Sequence, residues 1–117
     1  MRDNNLNKRL FDFAVKTLNF LNHLPKIPEI NVIRYQLSKS VTSSGANYEE
    51  AQAGSSKKDF NNKVRISLRE MRESNYWLRI LEAVRIKIVD DIELRELIAE
   101  SEELKKILGS IVTKTKS

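Results

Sequence analysis

Seven residues in the second half of the chain have the types and spacing to do chemistry together. Stepped at 100° per residue, Lys58, Arg65, Arg69, Arg72, Tyr76, Arg79 and Lys87 fall on one side of the stretch 57–88, and no acid interrupts the centre of that side. Arginine donates paired hydrogen bonds to phosphate oxygens, and a row about 30 Å long at 1.5 Å per helical residue suits a nucleic-acid backbone better than a small ligand. Tyr76 within the row could stack on a base. No residue in it reads base identity, so contacts are expected to be backbone-dominated and salt-sensitive. The plain alternative is that a charged row on a long helix is its solvated face. A separate alternative is a structural or protein-interaction module that binds no nucleic acid, its arginines pairing with acidic helices of neighbouring subunits, such as residues 90–103.

Other chemistries find little to work with. The chain has no cysteine and one histidine, His23, which stands beside Pro25 near the end of the first helix. A serine nucleophile among Ser40, Ser43 and Ser44 would lack a base. Glu49, Glu50, Glu70, Glu73 and Glu82 include no Glu-x-x-His pattern of the kind that builds carboxylate metal sites in bundles. Glu70 and Glu73 lie within pairing reach of arginines. Glu82 falls on the apolar side and is expected to form a buried pair with a lysine or arginine. No glycine loop for phosphate is present. The expectation is a protein without catalysis, cofactor or metal.

The elements that must position the row read as four helices in a single domain, residues 1–117. In the first, about 5–24, Leu6, Leu10, Phe13, Thr17, Phe20, Leu21 and Leu24 recur at spacings of three and four. Pro25 and Pro28 break it, leaving a short connection to a second helix, about 31–53. That helix turns Ile33, Leu37, Ser40, Val41, Ser44, Tyr48 and Ala51 inward, and its small residues from Ser38 to Ala46 predict close packing on another helix. Ser56 and Asp59 have capping-box spacing for the third helix, 57–88. Its core stripe is Phe60, Val64, Ser67, Leu68, Met71, Leu78 and Leu81. A fourth helix, 91–114, carries a 3,4,3,4,3 seam from Leu94 to Ile111, acidic at its start and basic at its end.

Four amphipathic helices joined by short loops predict an all-α, antiparallel up-down-up-down bundle. Ile66, Trp77 and Ile80 lie between the core stripe and the basic row. They are either the edge of a wide core face or a subunit interface anchored on Trp77. The net charge of +5 is uneven, with 16 Lys/Arg against 9 Asp/Glu in residues 1–89 and 5 against 7 beyond. That balance suits an anionic partner. The amino-terminal MRDNNLNKRLFDF has no signal-like apolar run and no segment reaches the ~20 apolar residues of a membrane span, so a soluble cytoplasmic protein is expected.

The run Ser40-Val41-Thr42-Ser43-Ser44-Gly45-Ala46-Asn47-Tyr48-Glu49-Glu50-Ala51 resembles a family motif. So do Ser56-Lys57-Lys58-Asp59-Phe60, Ser67-Leu68-Arg69-Glu70 and Glu73-Ser74-Asn75-Tyr76-Trp77-Leu78. The chain is similar to the small four-helix-bundle proteins encoded by intervening sequences of bacterial large-subunit rRNA genes, which are ribosomal-protein-like. The accessory proteins of diversity-generating retroelements resemble the same family. The resemblance spans nearly the whole chain and is densest over residues 38–82. It departs from the family pattern at Glu50-Ala51, where many members carry Glu-Gly. It implies a ring-shaped homo-oligomer, a pentamer foremost. It also implies RNA or DNA as partner, RNA ahead of DNA, and a reverse-transcriptase-like protein as a further partner.

Overall fold

The computed structural model describes residues 4–54, 56–84 and 91–116. They form α1 (Asn4–Asn22), α2 (Pro28–Gln52), α3 (Lys57–Ala83) and α4 (Asp91–Thr115). Consecutive helices pack side by side and α4 closes back on α1, so α1 faces α3, and α2 faces α4, only across the diagonal. Side-chain bonds set the directions. Arg9 at the start of α1 pairs with Glu100 of α4 at 2.7 Å, and Asn61 near the start of α3 reaches Val112 near the end of α4. Every neighbouring pair is therefore antiparallel, and the bundle runs up-down-up-down.

α2 starts three residues earlier than periodicity suggests. Pro28 is its first residue, where the missing N–H would have had no intrahelical partner and the fixed φ already suits a helix. α3 begins where the sequence places it, with the Ser56 hydroxyl accepting from the Asp59 amide at 3.0 Å. It stops sooner than its periodicity: Ala83 is its last residue and Val84 is extended. Residues 85–90, Lys87 among them, lie outside the described residues. The early stop also corrects the expectation for Glu82. It stands in the last turn of α3 and is exposed, not in a buried pair.

Leu6, Leu10 and Phe13 of α1, Leu37 and Val41 of α2, Val64, Met71 and Leu78 of α3, and Leu104 and Leu108 of α4 are all at most 2% exposed. Each such side chain contributes about 1.5–3 kcal/mol by leaving water. Between α2 and α3 the apolar filling gives way to serines. Ser44 donates to the Ser67 carbonyl at 2.8 Å, Ser67 returns a bond to the Ser44 carbonyl at 2.7 Å, and Ser74 donates to the Ser40 hydroxyl at 2.8 Å. The small-residue patch is the close-packing site its composition predicts, and its buried hydroxyls are satisfied across the seam. Just past α1 the Arg34 guanidinium of α2 donates to the carbonyls of Leu21 and Pro25, tying the α1–α2 turn down onto α2.

Candidate nucleic-acid interface

Lys58, Arg65, Arg72 and Arg79 recur at every seventh residue along the edge of α3 beside α4, and all four are exposed. Arg69 and Tyr76 stand further out on the same face, also exposed. The heptad repeat keeps the four cations on one line because α3 packs with near-parallel neighbours. Between Lys58 and Arg79 that line is about 32 Å long at 1.5 Å per residue.

Two of the arginines are held from beneath. The Arg65 Nε donates to Asn61 Oδ1 at 2.7 Å, and the Arg79 Nε donates to Asn75 Oδ1 at 2.8 Å. Both asparagines are buried, and each spends its amide nitrogen on α4. Asn61 Nδ2 donates to the Val112 carbonyl at 3.0 Å and to the Thr115 hydroxyl at 2.9 Å. Asn75 Nδ2 donates to the Ser101 hydroxyl at 2.8 Å and to Glu102 at 3.0 Å. With the nitrogen committed to α4, the amide oxygen has to face the arginine four residues on. Among the described residues their terminal guanidinium nitrogens make no hydrogen bond. The Arg79 guanidinium also lies 5.8 Å from the Tyr76 ring centre.

Nearby acids leave the row largely uncompensated. Among the described residues Arg65, Arg72 and Arg79 make no ion pair, and Arg69 makes one with Glu70 at 3.7 Å. Glu102 is the carboxylate closest in influence to Arg79. Partial burial pushes its carboxyl up, and the hydrogen bonds from Lys105 and Asn75, with the charges of Lys105 and Arg79, outweigh that and hold it below the ordinary 4.5.

The strip Ile66, Trp77 and Ile80 lies on the other flank of α3 and is half-buried throughout. Trp77 and Ile80 pack against the core, and the indole N–H donates to Glu73 at 3.1 Å. The widely exposed large apolar side chains are elsewhere. Phe11 is 67% exposed, Val15 41% and Leu18 37%, at spacings of four and three on α1. They flank a groove of about 560 Å3 whose α2 wall includes Thr42 and Ala46, with Glu49 and Glu50 at one end. On the same outer side of α2, Tyr35 is 64% exposed and Val32 59%. The signal was present in the spacing of residues 11, 15 and 18, a second apolar stripe beside the core stripe of α1. Asn61 and Asn75 also had one, since they occupy the heptad line of Leu68.

His23 is exposed and its Nδ1 lies 2.9 Å from the Asn19 carbonyl. Among the described residues no group of three His, Cys, Asp or Glu is close enough to hold a metal ion. No helix among them is long and apolar enough to cross a membrane.

Antiparallel helices with one cationic edge define a basic four-helix bundle. The chain belongs to the 23S rRNA-intervening sequence protein family, whose model matches residues 2–110. Among solved structures it is similar to a protein of unknown function from the S23 ribosomal protein family of Bacteroides thetaiotaomicron. The two are 33% identical, the match covers 92% of this chain and 97% of the other, and the TM-score is 0.79. No curated protein matches the chain.

Proposed function

We propose that the protein is a non-enzymatic, self-associating bundle that binds the phosphate backbone of nucleic acid, RNA ahead of DNA, through the exposed edge of α3. The observation that carries this reading is the line of Lys58, Arg65, Arg72 and Arg79, uncompensated by ion pairs among the described residues. Guanidinium groups held at one end and free at the other lose less side-chain freedom when they meet phosphate. The preference for RNA rests on the family the chain belongs to.

Self-association is favoured by the exposed Phe11, Val15 and Leu18 on α1, since monomeric surfaces seldom gather large apolar side chains into one stripe. The Ile66–Trp77–Ile80 strip is the second candidate contact. A groove on α1–α2 and a strip on α3 are different patches, so a contact between them would run head to tail, the type of contact that forms a ring when its rotation closes. A ring of five is the expectation carried over from the family resemblance. The decisive experiment measures binding to a labelled RNA and a labelled DNA of the same sequence at two salt concentrations, on protein whose assembled mass is known. No binding to either at about 50 mM salt would overturn the reading. The arginines would then be assigned to contacts between subunits.

A further inference from the structure

A second feature adjoins the start of the cationic line. Where α2 and α4 end and α3 begins, the bundle holds a cavity of about 770 Å3. This lies within the roughly 300–1,000 Å3 of small-ligand sites. Its walls are the Phe60 ring, Ile107 and Ile111, all half-buried, with Tyr48 buried behind them, and its rim carries Lys106 and Lys114. A smaller cleft of about 370 Å3 shares Phe60 and Lys114 with it and adds Lys57 and Lys116.

The chemistry of this cavity is specific in sign and shape. Its floor joins the apolar Phe60, Ile107 and Ile111 to the polar side chains of Gln52, Ser110 and Thr115. Its rim is cationic, and none of the four lysines has an ion pair among the described residues. Asp59 is the acid on the adjoining turn, and its amide is bonded to Ser56. A body with an apolar face and a negative group attached fits both features at once. Lys57 is followed directly by Lys58, the first cation of the α3 line.

We infer that the cavity receives the base of one unpaired nucleotide, with the nucleotide's phosphate held by Lys106 and Lys114. The rest of such a strand would continue onto α3. That continuation rests on the function proposed above, while capture of the nucleotide itself does not. A base inside a duplex keeps its faces stacked, whereas an unpaired base has a face free to lie against Phe60. The protein would accordingly favour RNA with a single-stranded end over a blunt duplex.

Two variants and one free ligand test this. Adenosine monophosphate is titrated into the full chain while the methyl signals of Ile107 and Ile111 are followed by NMR. Saturable shifts at both are expected. Ser110 is exposed and lines the cavity, so Ser110→Trp should fill it and abolish the shifts. Lys106→Gln combined with Lys114→Gln should weaken the nucleotide at least about fivefold, and it carries the test if the tryptophan variant misfolds. In wild type, RNA with a single-stranded overhang should bind at least about fivefold tighter than a blunt duplex of equal charge, and Ser110→Trp should erase that difference. The inference is overturned if the monophosphate gives no saturable shifts, if the shifts survive both variants, or if overhang and blunt RNA both bind and do so equally tightly. Nucleotide capture without strand binding would instead refute the α3 reading and leave the cavity assigned.

Discussion

Replacing Arg65, Arg72 and Arg79 together with glutamine separates a phosphate-binding edge from a merely solvated one. The folded state should tolerate the change. All three are exposed, and glutamine keeps an amide donor that can serve Asn61 Oδ1 and Asn75 Oδ1 in place of the guanidinium. The expected cost is within about 0.5 kcal/mol per site, as for ordinary surface substitutions. Binding should change much more. If Lys58 and the three arginines each neutralise one phosphate, the log–log salt slope is about −2.8 to −3.6, and affinity falls roughly 50- to 150-fold between about 50 and 200 mM salt. With only Lys58 left the same step costs about threefold. Fluorescence anisotropy of a labelled RNA across that salt range reads the slope, and far-UV circular dichroism verifies the fold. The loss should be similar for unrelated sequences, because phosphate contacts carry no base information. A triple variant that keeps the wild-type slope would refute the assignment of these residues. A variant that falls apart into smaller species would place them between subunits.

Three further outcomes follow from the packing. Ser44→Leu should overpack the α2–α3 seam and cost about 1–3 kcal/mol, while Ser44→Ala, losing the bond to the Ser67 carbonyl, should cost about 1 kcal/mol; urea denaturation measures both, and a harmless leucine would contradict the burial. Phe11→Lys with Leu18→Lys should lower the light-scattering mass towards 13.6 kDa with little change in melting, whereas Trp77→Ala, whose ring packs on the core, should lower the melting temperature; an unchanged mass in the double variant would clear α1 of the interface. Glu102 has its carboxyl held below the ordinary value, so it adds stability above that value and loses it as pH falls through the depressed one; urea midpoints near neutrality and at about pH 3 should differ less for Glu102→Gln than for wild type.

The fold was legible because each helix repeats its apolar residues at the helical period and marks its ends. Ser56 with Asp59 fixes the start of α3, and the acidic start and basic end of α4 match its dipole. The inward serines of α2 were legible as a packing patch, though not as a hydrogen-bonded ladder. That requires knowing which turn of α3 lies opposite, and register between helices is a tertiary quantity. The end of α3 illustrates the opposite case. Its apolar period continues to Ile88, yet the helix stops at Ala83, and periodicity alone cannot say where a chain leaves its partners. On α1 the core stripe is strong enough to draw attention from the weaker stripe of Phe11, Val15 and Leu18. The basic row could be read from one helix alone, because only the wheel of α3 was needed.

The buried asparagines join the core to that row. An asparagine in place of Leu68's heptad neighbours gives up apolar burial on both sides of it, and buried amides are tolerated only when bonded. Here every polar atom has a partner: the nitrogens of Asn61 and Asn75 are taken by α4 and their oxygens by Arg65 and Arg79. The bonds to α4 can form in only one register of α3 against α4, so the same two residues that align the helices also set the height and direction of the two arginines. They stand fourteen positions apart in the sequence, two heptads, and the arginines they hold keep that interval. A helix that needed only to be soluble would have no use for this arrangement, since exposed arginines gain solubility without a buried support. On the function proposed for the α3 edge, this support presents two of its four cations, Arg65 and Arg79, at a fixed repeat.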